Sequence, residues 1–342
     1  MPEVLVPHEE LKSLVVKKLQ QVNVPLEHAE IVADVLVHAD LRGVHSHGVL
    51  RTEHYVKRVA EGGLNPSPSI RFEQTGPASG IVDGDNGFGH VIAKEAMQHA
   101  IHLAQENAIG FVGVRNSSHC GALSYFVKQA TDQNLIGIAM THTDKSVVPF
   151  GGAKPFFGTN PIAFGFPAKR HRPVILDMAT SEVAFGKVLQ ARETETQVPM
   201  TWGVDQDGNP SQNPFQIAAL LPAGGPKGYG LALAIDVLSG ILMGASYGPH
   251  VAPMYGDYDK MRHLGHCVCV INPAFFTSLS QFLEDIDQMI AEIHEHPVAP
   301  GFDRVLVQGE PEQIKEDRYL KSGIPIATSV YAYLTRTAHA IH

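Results

Sequence analysis

Apolar residues recur at helical spacing near both ends of the chain. The pattern predicts amphipathic helices over residues 8–22, 26–41 and 52–60 in the N-terminal part. It predicts two more over residues 278–293 and about 328–339 in the C-terminal part. We therefore expect both ends of the chain to be mainly helical.

The middle of the chain alternates short apolar runs with helical segments. The runs have the length of buried strands, and we predict strands over residues 81–84, 111–114, 136–142, 162–166 and 173–176. The longer periodic segments predict helices over residues 88–107, 122–131 and 182–192. A Gly-, Pro- and Ser-rich stretch at residues 62–69 precedes this region and is typical of a boundary.

These patterns predict a mixed α/β fold with a central mixed sheet. We expect one subdomain to be α/β and to cover residues 76–274. A helical subdomain would be discontinuous and made from residues 1–75 and 275–342. The chain of 342 residues is long enough for two such units that share or divide a core.

The longest apolar stretch of the chain covers residues 231–243. It contains Asp236 and is shorter than the roughly 20 residues that a membrane span needs. We therefore predict a helix buried in the core, and no membrane association. The start of the chain shows no basic segment followed by an apolar run, so we expect a cytoplasmic protein.

The charge and the cysteines exclude some classes of partner. The formal net charge is -9 and the acidic residues are dispersed, which argues against a nucleic-acid partner. The three cysteines are Cys120, Cys267 and Cys269, too few and too scattered for a metal site of their own. We expect free thiols in a reducing compartment.

His119 lies on a short polar connection between the predicted strand 111–114 and the helix that follows. Such connections often hold the chemistry of α/β proteins, and an imidazole gives or takes a proton near neutral pH. The alternative is a helix-capping loop in which Ser117 or Ser118 caps and His119 is merely exposed. This stretch alone leaves both interpretations open.

A second candidate site is His45-Ser46-His47 with Arg51. If a helix began near His47, Arg51 would lie one turn further on the same face. A guanidinium beside an imidazole suits a small carboxylate substrate, because arginine binds carboxylates with two parallel hydrogen bonds. The alternative is a polar helix N-terminus capped by Ser46.

A metal site is a further alternative. The pair His45 and His47 with the remote His119 could bind zinc, with Asp144 or Asp177 as the carboxylate ligand of a hydrolase. This spacing is common, and the signal is weak.

The densest glycine cluster, residues 224–230, opens the predicted helix 231–243. Backbone amides and the helix dipole at such a position favour an anion, and Lys227 adds a positive charge. A dinucleotide pyrophosphate would fit, although close packing through small residues explains the glycines as well. No Gly-x-Gly-x-x-Gly motif follows the first predicted strand, so an ordinary Rossmann site is not indicated.

Five motifs occur together and in order over essentially the whole chain: His45-Ser46-His47-Gly48 with Arg51, His119-Cys120-Gly121-Ala122, Gly158-Thr159-Asn160-Pro161, Asp177-Met178-Ala179-Thr180 and Pro226-Lys227-Gly228-Tyr229-Gly230. This set resembles the malate/L-lactate dehydrogenase type 2 family, also called the L-sulfolactate dehydrogenase-like oxidoreductases. The resemblance implies a nicotinamide cofactor on a fold that is not Rossmann, a homodimer or higher homo-oligomer, and no metal. It favours NAD, with NADP left open.

The resemblance also implies roles for individual residues. His119 would be the acid/base residue, with His47 and Ser46 beside it. Arg51 would hold the substrate carboxylate, and Arg262 would be a further substrate contact. The residues expected to line the cofactor are Thr143, Asp177, Met178, Ala179, Lys227, Gly228, Gly309 and Glu310.

Two positions depart from the family pattern. Thr143 stands where serine is expected, which keeps the hydroxyl. Cys120 follows the catalytic histidine where serine or an aromatic residue is usual, so the surroundings of His119 are expected to differ.

The resemblance implies oxidation of a small 2-hydroxy acid. Four stretches are most similar to family members that act on ureidoglycolate: residues 147–153, 226–230, 235–240 and 299–302. We therefore expect NAD-dependent oxidation of (S)-ureidoglycolate to oxalurate, a step of allantoin and purine breakdown. Malate, lactate, sulfolactate or a diketogulonate remain alternative substrates.

Overall fold

The computed structural model describes residues 2–336 and confirms a mixed α/β fold with a central mixed sheet. The strands are β1 Glu3–Val6, β2 Arg71–Gly76, β3 Ser79–Asp83, β4 Ile109–Ser117, β5 Ile136–Thr141, β6 Ile162–Phe166, β7 Val174–Met178, β8 Gly203–Val204, β9 Ala219–Leu220, β10 Leu264–Ile271 and β11 Ile324–Ala327. The helices are α1 His8–Gln20, α2 Leu26–Leu41, α3 Thr52–Ala60, α4 Gly89–Asn107, α5 Ser124–Thr131, α6 Phe185–Glu193, α7 Pro226–Asp236, α8 Leu279–Glu295, α9 Glu310–Ser322 and α10 Thr328–Thr335.

The central sheet has seven strands in the order β2-β3-β4-β10-β5-β6-β7. β3 and β4 are parallel, and the other neighbouring pairs are antiparallel. The late strand β10 lies between β4 and β5, with Val268 opposite Val112 and Ala139. Because β10 is inserted between strands that come more than a hundred residues earlier, the sheet joins distant parts of the chain.

The main hydrophobic core lies between this sheet and the helices α4 and α5. Ile92 and Met97 of α4 and Phe126 of α5 are fully buried there with Val112 and Val268 of the sheet. Burial of large apolar side chains on this scale is the dominant favourable contribution to folding. This packed layer holds the loop after β4, which contains His119, against the start of α4.

The two ends of the chain pack together. β1 pairs with β11 in an antiparallel ladder from Glu3 opposite Ala327 to Val6 opposite Ile324. A second buried cluster combines residues of α1, α2 and α3 with Tyr319, Ile324, Ile326 and Leu334. The division into subdomains at residues 75 and 275 stays a prediction. The last part of the predicted helix 328–339 lies outside the described residues.

The helix predicted over residues 231–243 differs from expectation in two ways. It begins at Pro226, so Lys227 and Gly228 lie in its first turn, and it continues as a π-helical turn over Val237–Ile241. It is also not buried on all sides: Ala232 and Ile235 face the core, but Leu231 and Leu242 are exposed. The prediction of burial was wrong because the segment is apolar all round, and periodicity then does not show which face packs inward.

Candidate active site

His119 is held by a close approach between the loop after β4 and the start of α4. A Cβ atom at Gly89, the first residue of α4, would lie 2.2 Å from the carbonyl oxygen of Ser118 and 2.7 Å from that of His119. No residue larger than glycine fits at position 89 without moving the loop. The sequence therefore fixes the backbone of His119 through a residue thirty positions earlier.

Three aromatic side chains surround the His119 ring. The hydroxyl of Tyr55 on α3 lies 2.7 Å from His119 Nδ1. The ring of His47 stacks on that of His119 with 5.5 Å between ring centres, and His90 of α4 lies edge-on at 6.2 Å. Sequence reasoning identified His47 but missed Tyr55 and His90, because both occupy positions of an apolar helix face.

The surroundings keep the His119 imidazole neutral. Burial lowers the pKa of His119 well below the ordinary 6.5, and the charges of Arg51 and Arg262 lower it further. Among residues 2–336, no protein group bonds its Nε2, and that atom is not sealed from solvent. When Nδ1 carries the ring proton, His119 can therefore accept a proton at Nε2 from a molecule in the solvent-accessible space beside it, which we call the cleft.

The segment between α2 and α3 is shaped by the buried Asp40 of α2. One carboxylate oxygen accepts from His45 Nδ1 at 2.7 Å, and the other accepts from the backbone amide of Val49 at 2.7 Å. A Cβ atom at Gly48 would lie 2.1 Å from the same carboxylate. Asp40 thus turns His45 away from the cleft while His47 reaches His119.

Ser46, His47 and Arg51 are brought together, but not on one face of a helix. Residues His45–His47 and Val49–Arg51 form two 3₁₀ turns, and α3 begins only at Thr52. Arg51 Nε donates to the carbonyl of Ser46 at 2.7 Å, and Ser46 Oγ lies 3.1 Å from His47 Nδ1. Burial and the Arg51 charge lower the pKa of His47 to about 4, so it is also neutral.

A terminal nitrogen of Arg51 contacts the loop before β10. Its Nη1 donates to the hydroxyl of Tyr255, whose ring is exposed. Tyr255 was not predicted from the sequence, where it lies in a loop-forming stretch without a recognisable motif. The described contacts engage Nε and one terminal nitrogen of Arg51, so the other terminal nitrogen keeps its donors for a carboxylate.

Arg262 is engaged by protein groups. It is almost fully buried and forms an ion pair with Asp144 through NH2. Its Nε donates to the carbonyl of Ala252 at 3.0 Å, and NH1 lies 3.2 Å from the sulfur of Met254. In this arrangement Arg262 holds the segment that carries Tyr255. Its direct contact with substrate stays a prediction.

Several residues expected to line a cofactor lie close together. A Cβ atom at Gly158 would lie 2.1 Å from Thr143 Oγ1, so the loop after β5 packs on the loop before β6. The Thr143 amide donates to Asn160 Oδ1 at 3.2 Å, and Asn160 Nδ2 donates to the carbonyl of Ala232 on α7 at 2.9 Å. Gly228 of α7 approaches so closely that a Cβ there would lie 2.6 Å from the Thr180 carbonyl.

The other predicted cofactor residues follow β7. Asp177 and Met178 end this strand, and Ala179 comes directly after it. Gly309, with φ +90°, lies against Ile175 of the same strand, where a Cβ would be 2.7 Å from its carbonyl. Asp177 also accepts the amide of Ser124 at 2.8 Å, at the start of the helix that follows the His119 loop. β7 therefore links the Gly309 turn to the helix that follows the His119 loop.

Glu310 begins α9 and is held by protein contacts. Its carboxylate accepts from the amide of Val307 at 2.8 Å and pairs with His294 of α8. A cleft of about 280 Å³ beside it is lined by Arg172, Arg304, Gln313 and their neighbours. The roles of these residues toward a cofactor stay predictions.

This arrangement fits a pyrophosphate-bearing cofactor. Lys227 is exposed on the first turn of α7, where the helix dipole favours anions. Gly228 and Gly309 let protein backbone approach so closely that a Cβ atom at either position would clash with it, which holds the start of α7 and the Gly309 turn in place. The donor set is therefore suited to a dinucleotide on a surface that is not a Rossmann fold.

The zinc alternative required His45, His47 and His119 to converge. His45 instead points to Asp40, and the rings of His47 and His119 stack on one another. In the part of the chain that the structure describes, no three metal-ligating side chains form a group that could hold a metal ion. The described helices also include none long and apolar enough to cross a membrane.

Comparison with known proteins places these motifs in one family. The family described as malate/L-lactate dehydrogenase matches residues 6–335. Ureidoglycolate dehydrogenase (NAD(+)) from Escherichia coli K12 is 46% identical over 333 residues, which cover 97% of this chain and 95% of the relative. Malate dehydrogenase from Pyrococcus horikoshii is 40% identical over 346 residues, 98% and 95% of the two chains. The structure of sulfolactate dehydrogenase from Methanocaldococcus jannaschii superposes with a TM-score of 0.91 at 38% identity, covering 97% and 95%.

Proposed function

The chain belongs to the malate/L-lactate dehydrogenase family, and from this premise we propose that it oxidises (S)-ureidoglycolate to oxalurate with NAD as cofactor. The observation that carries the proposal is the open Nε2 of a neutral His119 beside the partly free guanidinium of Arg51. A base and a carboxylate-binding group side by side suit a 2-hydroxy acid. The identity of 46% to the ureidoglycolate enzyme supports the choice of substrate.

The proposed reaction divides the work between two residues. Arg51 binds the substrate carboxylate through its outer nitrogens, which orients the carbon that bears the hydroxyl group. His119 Nε2 accepts the proton of that hydroxyl group. As the O–H and C–H bonds break and the C=O bond forms, the proton remains on His119. A positioned base of this kind contributes about 10² to 10⁴ in rate.

The cofactor would lie along β7 and the start of α7. NAD, when bound, supplies the carbon that accepts the hydride. Lys227 would pair with the pyrophosphate, and Thr143, Asp177, Met178 and Ala179 would hold the half nearer His119. Gly228 and the Gly309-Glu310 turn would line the remainder. The preference for NAD over NADP rests on the relative named NAD(+)-dependent.

We further propose a homodimer in the cytoplasm that acts in allantoin breakdown. Four leucine and isoleucine side chains on and after α7 are each more than two fifths exposed: Leu231, Leu233, Ile241 and Leu242. Large apolar side chains exposed together on one segment are typical of a subunit interface. A particle mass in solution of about twice 37.0 kDa would support the dimer.

The experiment that tests the function is nicotinamide reduction by the purified protein. The substrates are (S)-ureidoglycolate, malate, lactate and sulfolactate, each offered with NAD and with NADP. We expect kcat/KM to be highest for (S)-ureidoglycolate with NAD. A higher kcat/KM for another acid would overturn the substrate and keep the family, and no reduction with any pair would overturn the proposed function.

A further inference from the structure

Tyr55 is a buried residue whose only polar partner in residues 2–336 is His119. Its side chain is 1% exposed on α3, and its hydroxyl lies 2.7 Å from His119 Nδ1. No sequence motif contains it. Because the proposed reacting nitrogen of His119 is the other one, Tyr55 is placed to act through the imidazole.

The contact decides which nitrogen of His119 is free to react. A neutral imidazole carries one proton, on Nδ1 or on Nε2. If Tyr55 accepts a hydrogen bond from Nδ1–H, Nε2 has a lone pair and works as a base. If Tyr55 donates to Nδ1, the proton is on Nε2, and His119 has no free site for the substrate proton.

We propose that Tyr55 is the positioning residue of His119: its phenolic oxygen accepts from Nδ1–H, keeps Nε2 toward the cleft, and stabilises the imidazolium after proton transfer. This inference rests on the proposed function. The same hydrogen bond persists before and after the step, since the imidazolium also carries a proton on Nδ1. No group other than the transferred proton then has to reorganise, which is the condition for electrostatic preorganisation.

Aromatic rings at the start of α4 pack around the Tyr55 ring. The Tyr55 ring meets His90 edge-on at 5.1 Å and Phe88 at 6.1 Å between centres. A Cβ atom at Gly121, with φ +79°, would lie 3.1 Å from the His90 ring, so the His119 loop closes over it. His90 is itself neutral, because burial lowers its pKa to about 3.

The charged and titratable groups that face the pair come from several elements: His47 and Arg51 before α3, His90 on α4, Cys120 after His119, Tyr255, and Arg262 before β10. All that are cationic lower the pKa of His119. Burial raises the pKa of Tyr55, so the phenol stays neutral and offers an uncharged oxygen. The Tyr55 hydroxyl is within hydrogen-bonding distance of the imidazole, and as an acceptor it stabilises the imidazolium against these cationic charges.

The test is Tyr55→Phe, which removes only the hydroxyl group. We expect kcat for the 2-hydroxy acid to fall about 10-fold with KM little changed, since Arg51 still binds the carboxylate. The acid limb of kcat/KM should move to lower pH by about one unit, because the imidazolium loses its acceptor. The matched control is Tyr333→Phe, because Tyr333 packs against the same hydrophobic cluster as Tyr55. This variant should change neither kcat nor the acid limb of kcat/KM.

The direction of the limb separates the two arrangements. An unmoved limb, or one moved to higher pH, would overturn the proposal, since loss of a donor to neutral Nδ1 would raise the pKa of His119. If Tyr333→Phe lost as much kcat as Tyr55→Phe, the proposal would also be overturned. Thermal unfolding of both variants gives the folded fraction to which each rate refers.

A second measurement needs neither a variant of Tyr55 nor a substrate. The ¹⁵N spectrum of histidine-labelled protein, with His119 assigned by its absence in His119→Ala, reports which nitrogen is protonated. We expect a pyrrole-type shift at Nδ1 and a pyridine-type shift at Nε2. The reverse assignment would overturn the role of Tyr55 even if every substrate in the activity assay is oxidised, and the expected one would stand even if none is.

Discussion

His119, in the loop after β4, and His266, on the neighbouring strand β10, are two histidines with strongly lowered pKa values and different hydrogen-bond partners. Both are kept neutral: burial lowers the pKa of His266 to about 3 and that of His119 well below 6.5. His266 Nδ1 lies 2.7 Å from the Thr141 hydroxyl, and its Nε2 lies 2.7 Å from the Ser117 hydroxyl. His119 has one such partner, Tyr55, and one open nitrogen.

The difference separates the proposed base from a structural histidine. A perturbed pKa alone does not distinguish the two, since desolvation produces it in both. In His266 both nitrogens have partners, and its side chain links Ser117 of β4 to Thr141 of β5. In His119 one nitrogen has no described protein partner, and the proposed function rests on that geometry.

The largest expected effect is on His119 itself. His119→Ala should lower kcat by about 10² to 10⁴, because the base is removed. Binding of NADH, followed by fluorescence, should remain. The control His102→Ala changes an exposed histidine on α4. Near-normal turnover of His119→Ala would contradict the assignment.

The opposite result is expected at His266. His266→Leu should reduce the free energy of unfolding by about 1–3 kcal/mol, because the buried Ser117 and Thr141 hydroxyls each lose a partner. Turnover per folded molecule should stay close to that of the wild type. Chemical denaturation and kinetics on the same preparation measure both. A large loss of kcat without loss of stability would remove the contrast between the two histidines.

The smallest expected effect is on the pH dependence of stability at acidic pH. The pKa of His266 is about 3 in the folded protein and 6.5 when unfolded, so below pH 6.5 the unfolded chain binds one more proton at this residue. The stability it contributes is complete above pH 6.5 and declines by about 1.4 kcal/mol per pH unit below it. His266→Leu should therefore show a shallower acid slope than the wild type by about one proton. If the free energy of unfolding fell equally steeply with pH in His266→Leu and the wild type, His266 would be charged in the folded protein.

Much of the local structure follows from the sequence. The predicted bounds 26–41 and 52–60 are those of α2 and α3, because apolar stripes with clear ends define them. The pairing of β1 with β11, and α9 itself, were not predicted. Short strands near opposite ends carry little local signal, and their pairing depends on packing across more than three hundred residues.

The site was predicted where motifs are dense and missed where single residues act from apolar surroundings. Ser46, His47, Arg51 and His119 do meet around one cleft. Asp40, Tyr55 and His90 escaped notice because each lies within a helix whose pattern explains it as core. Their functional contacts arise only when α2, α3 and α4 pack together.

The measurement that tests the central claim most directly is chemical rescue of His119→Gly. With (S)-ureidoglycolate and NAD, turnover should be low and should rise in a saturable way when imidazole is added, since the free base can occupy the space of the lost side chain. The wild type and His266→Gly should show no such rise. Turnover of His119→Gly near that of the wild type without imidazole would contradict the claim that the open nitrogen of His119 takes the substrate proton.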